Sequence, residues 1–281
     1  MSRMKSGLDE IGVWSEIKLA ILREYASAYS SILSAQTSPR LYHVYIDGFA
    51  GAGKHISKLT GEFVLGSPLN ALNVTPPFRE YFLVDLSSTR IAGLQKLIGD
   101  RRDVHLLHGD CNKVLLDDVL PKARFEDYRR ALCVLDPYGL HLDWKVIHTA
   151  GQMKSVDMFL NFPVADMNRN ALWRDAEHVD PADMDRMTRY WGDESWKKAA
   201  YYDQPTLFGG TVQQKESNYV IAEAFRDRLK KVAGFAHVPR SIPMRNSMGT
   251  VVYYLFFASQ KPTAKHIVDD IFTKYQTTGL Q

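Results

Sequence analysis

Five short apolar segments follow one another in the first two thirds of the chain, and each gives way to a polar residue where its apolar character ends. They cover 41–46, 81–84, 104–107, 131–135 and 156–160, and the polar residues that follow are Asp47, Asp85, Asp110, Asp136 and Asn161. Near-continuous apolar runs of this length belong to strands buried on both faces, as in a parallel sheet covered by helices. Helical patterns at 67–72, 88–98 and 143–152 separate them. The alternation predicts an α/β fold with a doubly wound, Rossmann-like sheet. In such sheets ligands bind outside the carboxyl ends of the strands, near the point where strand order reverses. One aspartate after a strand is equally well read as a helix cap. Four aspartates and an asparagine after five consecutive strands point to a nucleotide-like ligand.

Around this repeat the pattern predicts a first helix over 11–33, with Ile11, Trp14, Ile17, Ile21 and Leu22 at helical spacing. Residues 54–66 read as a loop or short hairpin, and Ser67-Pro68 is a helix start, since serine caps and proline suits the first turn. Residues 165–213 break the rhythm. They are rich in Met, Trp, Tyr, Asp and Arg, show no clear strand, and read as an inserted helical cap. The expected organisation is one domain formed by 1–164 and 214–281, with 165–213 as the insertion. A helix over 216–232, strand candidates at 237–244 and 250–258, and a helix over 262–275 complete it.

With 281 residues, 45% of them hydrophobic, the chain can bury a full core. No apolar run approaches the roughly 20 residues needed to span a bilayer. No apolar signal core follows Met1–Ser6, so a cytoplasmic setting without membrane contact is expected. Two cysteines, Cys111 and Cys133, cannot form a disulfide framework, and the histidines show no metal-ligand spacing with them. A net charge of +3 permits contact with DNA or RNA without being the footprint of a dedicated binder.

The glycine-rich turn Asp47-Gly48-Phe49-Ala50-Gly51-Ala52-Gly53 follows the first strand and admits three ligands. Gly48 to Lys54 has the spacing of a phosphate loop, but His55 stands where Ser or Thr would hold magnesium. A dinucleotide fingerprint fails at its third glycine, where Ile56 stands. Asp47 before the turn suits a cation better than a pyrophosphate, and Asp85 suits ribose hydroxyls. S-adenosylmethionine (SAM), with its ammonium and sulfonium, fits best. The expected cofactor residues are Asp47, Gly48, Phe49, Ala50, Gly51, Gly53, Asp85, Asp110 and Cys111, with Cys111 partly exposed beside the cofactor and Cys133 in the core.

At the fourth strand, Asp136-Pro137-Tyr138 is where a methyl acceptor would sit. The carboxylate can accept hydrogen bonds from an exocyclic amine, and the ring can stack on a flat base. Lys54, His55, Asn161 and Arg169 are the candidate substrate contacts. In the insertion, Arg169, Trp173, Arg174, Arg186, Arg189, Tyr190 and Trp191 mix cations with aromatics, as nucleic-acid surfaces do, but Asp166, Asp175, Glu177, Asp180 and Asp185 are interleaved.

Taken together, Tyr45–Gly53, Gly66–Leu72, Leu135-Asp-Pro-Tyr-Gly139 and Leu160-Asn-Phe-Pro163 resemble the three-Cys-motif partner protein (TcmP) family, as do Met167-Asn168-Arg169 and Trp191-Gly192. The resemblance implies a methyltransferase-like sheet of seven strands whose last strand is antiparallel. It also implies a partner: a three-cysteine-motif protein that resembles radical-SAM iron–sulfur proteins. A looser similarity runs to ribosomal RNA adenine-N6 methyltransferases, which share the Asp-x-x-Ala-Gly-x-Gly turn and carry Asp-Pro-Pro-Tyr at the fourth strand. Here Asp136-Pro137-Tyr138-Gly139 has one proline, so Tyr138 arrives one position early. The first expectation is therefore SAM-dependent methylation of an amine on a nucleic-acid base. The alternatives are a catalytically inactive binding module that recruits nucleic acid or the partner, and a phosphate-loop NTPase.

Overall fold

The computed structural model describes residues 9–173, 179–205 and 210–278. The chain opens with β1 (Glu10–Ile11) and α1 (Val13–Ala35), then β2 (Tyr42–Asp47), a hairpin of β3 (Lys54–Ser57) and β4 (Phe63–Leu65), and α2 (Ser67–Leu72). Next come β5 (Glu80–Asp85), α3 (Ser88–Ile98), β6 (Val104–His108) and α4 (Cys111–Val114), which runs on through one wide and one tight turn to Lys122. β7 (Arg129–Leu135), α5 (Trp144–Met153) and β8 (Val156–Phe162) complete the repeat. After them follow α6 (Val164–Asn170), α7 (Pro181–Trp191), α8 (Trp196–Ala200), β9 (Tyr201–Pro205), β10 (Thr211–Lys215), α9 (Asn218–Lys231), β11 (Ile242–Arg245), β12 (Val251–Ala258) and α10 (Pro262–Thr278).

Seven strands form the central sheet in the order β11-β12-β8-β7-β2-β5-β6. β7, β2, β5, β6 and β8 are parallel, whereas β12 runs antiparallel to both of its neighbours. This is the expected doubly wound sheet with its last strand reversed. Its side chains divide with period two. Val44, Ile46, Cys133, Leu135, Met158, Leu160 and Phe256 pack with α5, α9 and the turns after α4. Tyr45, Leu132, Val134, Phe159, Leu255 and Phe257 pack with α1, α3 and α10. Both faces of the central strands β2, β7 and β8 are thus largely hidden, which is why their runs read as apolar.

Three expectations change. Ile11 belongs not to the first helix but to β1, which pairs in parallel with β3 and so ties the start of the described chain to the hairpin after the glycine turn. The 165–213 stretch holds α6, α7 and α8 but also β9, paired antiparallel with β10. Only Tyr201 of β9 is buried, so this ribbon carries no apolar signal to read. The strand expected over 237–244 shrinks to β11 with a single bridge at His237; Pro239 has no N–H to give to a ladder. Met187, Tyr190 and Trp191 of α7 and Trp196 of α8 share one core with the sheet. Arg174, Asp175 and Glu177 lie outside the described residues, as do Met1–Ser6. No helix among the described residues is long and apolar enough to cross a membrane.

Two glycines in helices test this packing. At Gly151 in α5 a Cβ would collide with the Ala233 carbonyl oxygen and stand 3.1 Å from the Phe235 ring, so Gly151→Ala should destabilise by about 2 kcal/mol or more in urea unfolding. At Gly93 in α3 nothing lies within 4 Å of a Cβ, and Gly93→Ala should stabilise by roughly 0.5–1 kcal/mol.

Candidate functional site

A cavity of about 860 Å³ opens at the carboxyl edge of the sheet, where β2 lies beside β7. This is the point at which strand order reverses, since the chain builds outward from β2 to β6 and then returns to β7. Phe49, Ala50, Gly51 and Val134 line its inner wall, Asp85 and Arg90 the β5 side, and Asp136 and Tyr138 the β7 side. Residues 9–12 and the first turns of α1 supply the outer wall.

The inner wall is shaped by hydrogen bonds from the turn to strand ends. Gly48 N–H donates to Val134 O at 2.9 Å and Ala50 N–H to Val84 O at 2.9 Å. Gly51, at φ +67°, donates its N–H to Asp85 Oδ2 at 2.9 Å, and a Cβ there would meet nothing within 4 Å. The backbone at Gly51 therefore faces open space. Asp85 is buried, and its Oδ1 accepts the Ser87 N–H at 2.8 Å, which fixes the carboxylate with its remaining lone pairs toward the cavity. Arg90 Nη1 stands 3.8 Å from Asp85, and its Nη2 reaches Asp9 at 3.3 Å.

Across the cavity, the Asp136 carboxylate is engaged on both oxygens. Oδ1 accepts from Asn161 Nδ2 at the end of β8, and Oδ2 pairs with the Lys18 ammonium from α1. Burial alone would lower the Lys18 pKa, but the charge and hydrogen bond of Asp136, together with Tyr253 and Asp47, outweigh it and hold the ammonium above its ordinary value. Gly139, at φ +61°, lets the following turn pass Asp166 of α6, whose carboxylate accepts the Leu140 N–H at 3.2 Å. Tyr138 is left 75% exposed at the cavity mouth, its ring free to stack.

Phe49, Ala50, Gly51, His55, Asp85, Asp136 and Tyr138 of the sequence-predicted set share this one cavity. The others stand behind or beside its wall. Asp47 is fully buried beneath the turn, accepting from Tyr45 O–H and from Phe49 N–H, each at 3.2 Å. It shapes the turn from below. Burial raises its pKa to about 6 against the Ser67 hydroxyl and Phe49 N–H, which favour the charge. Gly48 is packed so that a Cβ would lie 2.9 Å from Cys111 Sγ, and Gly53 so that one would lie 2.6 Å from Leu94. Cys111 is buried, contrary to the expected partial exposure, and burial pushes its thiol well up. Asp110 is exposed and caps α4 by accepting the Lys113 N–H at 3.1 Å. Pro137 is buried, Lys54 is half-buried at the start of β3, Asn161 is buried behind Asp136, and Arg169 is exposed on α6. Cys133 is in the core as expected.

His55 lines the cavity with Nδ1 buried and without a hydrogen-bond partner among the described residues. Burial and the nearby Lys18 lower its pKa. Gly53-Lys54 leads into β3 and not into a helix, so the turn lacks the helix N-terminus on which a phosphate loop depends. Lys18, Arg90 and residues 9–12 were not among the sequence candidates. Lys18 carried a readable signal: it falls in the apolar stripe of α1, four residues after Trp14 and three before Ile21.

No protein-family model matches the chain, and no curated protein is similar to it at a significant level. Among solved structures, a Legionella pneumophila protein of family model DUF519 is 12% identical, covers 92% of this chain and 92% of its own, and has a TM-score of 0.45. An S-adenosylmethionine-dependent methyltransferase from Mesorhizobium loti is 13% identical over 78% of this chain and 90% of its own, with a TM-score of 0.37. The fold described above rests on strand order and direction, not on these likenesses.

Asp47 gives the site a pH signature. Its folded pKa lies above that of an unfolded aspartate, so its contribution is full at low pH and is lost as pH rises through about 6. Between pH 4 and pH 7.5 the wild type should lose roughly 2 kcal/mol more unfolding free energy than Asp47→Asn, measured by urea titration.

Proposed function

We propose that the chain is a SAM-dependent methyltransferase-like protein that methylates an amine on a nucleic-acid base and works with a three-Cys-motif, radical-SAM-like partner. The observation that carries this reading is the pairing, in one cavity, of the Asp85-locked glycine turn with Asp136 and Tyr138. The volume falls within the roughly 300–1,000 Å³ of small-molecule sites. The residues present fit SAM: open backbone at Gly51, a fixed carboxylate at Asp85 for ribose hydroxyls, and an apolar surface from Phe49, Leu19 and Leu22. When bound, SAM supplies an electrophilic methyl group on a sulfonium.

The chain's own part is positioning. Asp136 would accept a hydrogen bond from the acceptor amine and aim its lone pair inward, while Tyr138 stacks on the base. His55 lines the same cavity. Asp47 supports the turn from beneath, Asp110 caps α4, and Cys111 packs α4 against Gly48.

A second reading is a binding module that keeps the fold and recruits nucleic acid or the partner without transferring a methyl group. It is favoured by one observation, that both oxygens of Asp136 already accept internal hydrogen bonds.

Calorimetry should show binding of SAM and S-adenosylhomocysteine but not ATP, and Asp85→Ala should weaken both by roughly tenfold or more. A radiolabelled-methyl screen over DNA, RNA and protein, with and without the partner, should give transfer to nucleic acid that Asp136→Ala abolishes while SAM affinity stays within a few-fold. Tight SAM binding with no transfer under any condition favours the second reading. ATP binding without SAM binding overturns both.

A further inference from the structure

Lys18 is only 9% exposed, yet its side chain reaches the cavity wall from the apolar stripe of α1. An aliphatic side chain at this position would bury a similar area without the cost of desolvating a charge. The ammonium is held from three directions: Asp136 at the end of β7, the Tyr253 ring of β12 at 5.4 Å from Nζ to its centroid, and the fully buried Asp47 acting through its charge. Asn161 secures the other oxygen of Asp136. The Asp136 side chain keeps 38% exposure, so the carboxylate is oriented from behind while lone pairs remain open to the cavity. The Lys18–Asp136 pair itself carries no net charge.

Resting on the methyltransferase reading above, we infer that Lys18 is a positioning residue for the acceptor. It holds Asp136 as an ionised, oriented hydrogen-bond acceptor and cancels its charge, so that the site receives an uncharged nitrogen and turns away an ammonium. Without Lys18, Asp136 would be an unopposed carboxylate beside the transfer position and would attract cations: a protonated lysine side chain, or the sulfonium of the cofactor itself. With it, the hydrogen-bonding geometry of the carboxylate remains and its long-range attraction is removed. The exocyclic amino group of a base, planar and neutral near pH 7, suits both Asp136 and the exposed ring of Tyr138.

The test needs no identified methyl acceptor. Affinities are measured by calorimetry for S-adenosylhomocysteine and for the SAM analogue in which an amine-bearing carbon replaces the methylated sulfur, so that a cationic amine occupies the transfer position. The readout is the ratio of the two affinities in wild type, Lys18→Met, Lys18→Arg and Asp136→Asn. Lys18→Met should raise the preference for the amine analogue about fivefold or more, Lys18→Arg should return it to the wild-type value, and Asp136→Asn should shift it the opposite way. A Lys18 that merely pins α1 would alter stability and leave the ratio unmoved. An unmoved ratio in Lys18→Met, with S-adenosylhomocysteine still bound, overturns the inference. If Lys18→Met does not fold, Asp136→Asn decides alone, and an unmoved ratio there has the same meaning. Failure of the wild type to bind S-adenosylhomocysteine at all is instead the failure of the cofactor reading, and this inference falls with it.

Discussion

Burial of the central sheet on both faces governs the rest of the molecule. Alternate residues of β2, β7, β8 and β12 enter one of two cores, so a polar group within these strands needs an internal partner, as His43 has in Ser30 and Asp157 in Tyr25. Chemistry is forced to the strand ends, where the backbone leaves the sheet and side chains can reach open space. Because the chain winds outward from β2 to β6 and then returns to β7, two adjacent strands end with their following loops diverging. The cavity is what that divergence leaves.

The walls of the cavity differ in kind. On the β2–β5 side the backbone does most of the work: the turn is held by N–H groups, and Asp85 is a fixed acceptor locked to Gly51 and Ser87. On the β7 side the polar groups are side chains brought from distant elements, Lys18 from α1 and Asn161 from β8, converging on Asp136. A rigid, backbone-built wall suits a constant ligand. A wall of side chains suits a partner whose identity depends on charge and shape.

Much of this was legible in the sequence, because local apolar runs and strand-end carboxylates are local signals. α3 falls at Ser88–Ile98 as the pattern predicts, and the hairpin after the glycine turn is present. Side-chain direction was not legible. Asp47 and Asp110 both follow strands, yet one is sealed under the turn and the other caps α4 in solvent. Cys111 looked exposed by adjacency and is buried because Gly48 lets the turn rest on its sulfur. The β9–β10 ribbon escaped notice because it hides almost nothing. Lys18 could have been noticed as a charge in an apolar stripe, but its partner could not, since nothing local links it to Asp136.

That separation shapes how the domain is assembled. Lys18 and Asp136 are 118 positions apart, and a lysine cannot enter a core without its counter-charge except at heavy desolvation cost. A chain emerging residue by residue can form α1 early as a helix, but its apolar stripe cannot seat fully on the sheet until β7 has been made and has delivered Asp136. Loop-closure entropy delays so non-local a contact. Seating of α1 and completion of the cavity are then one event, and a half-made domain has neither.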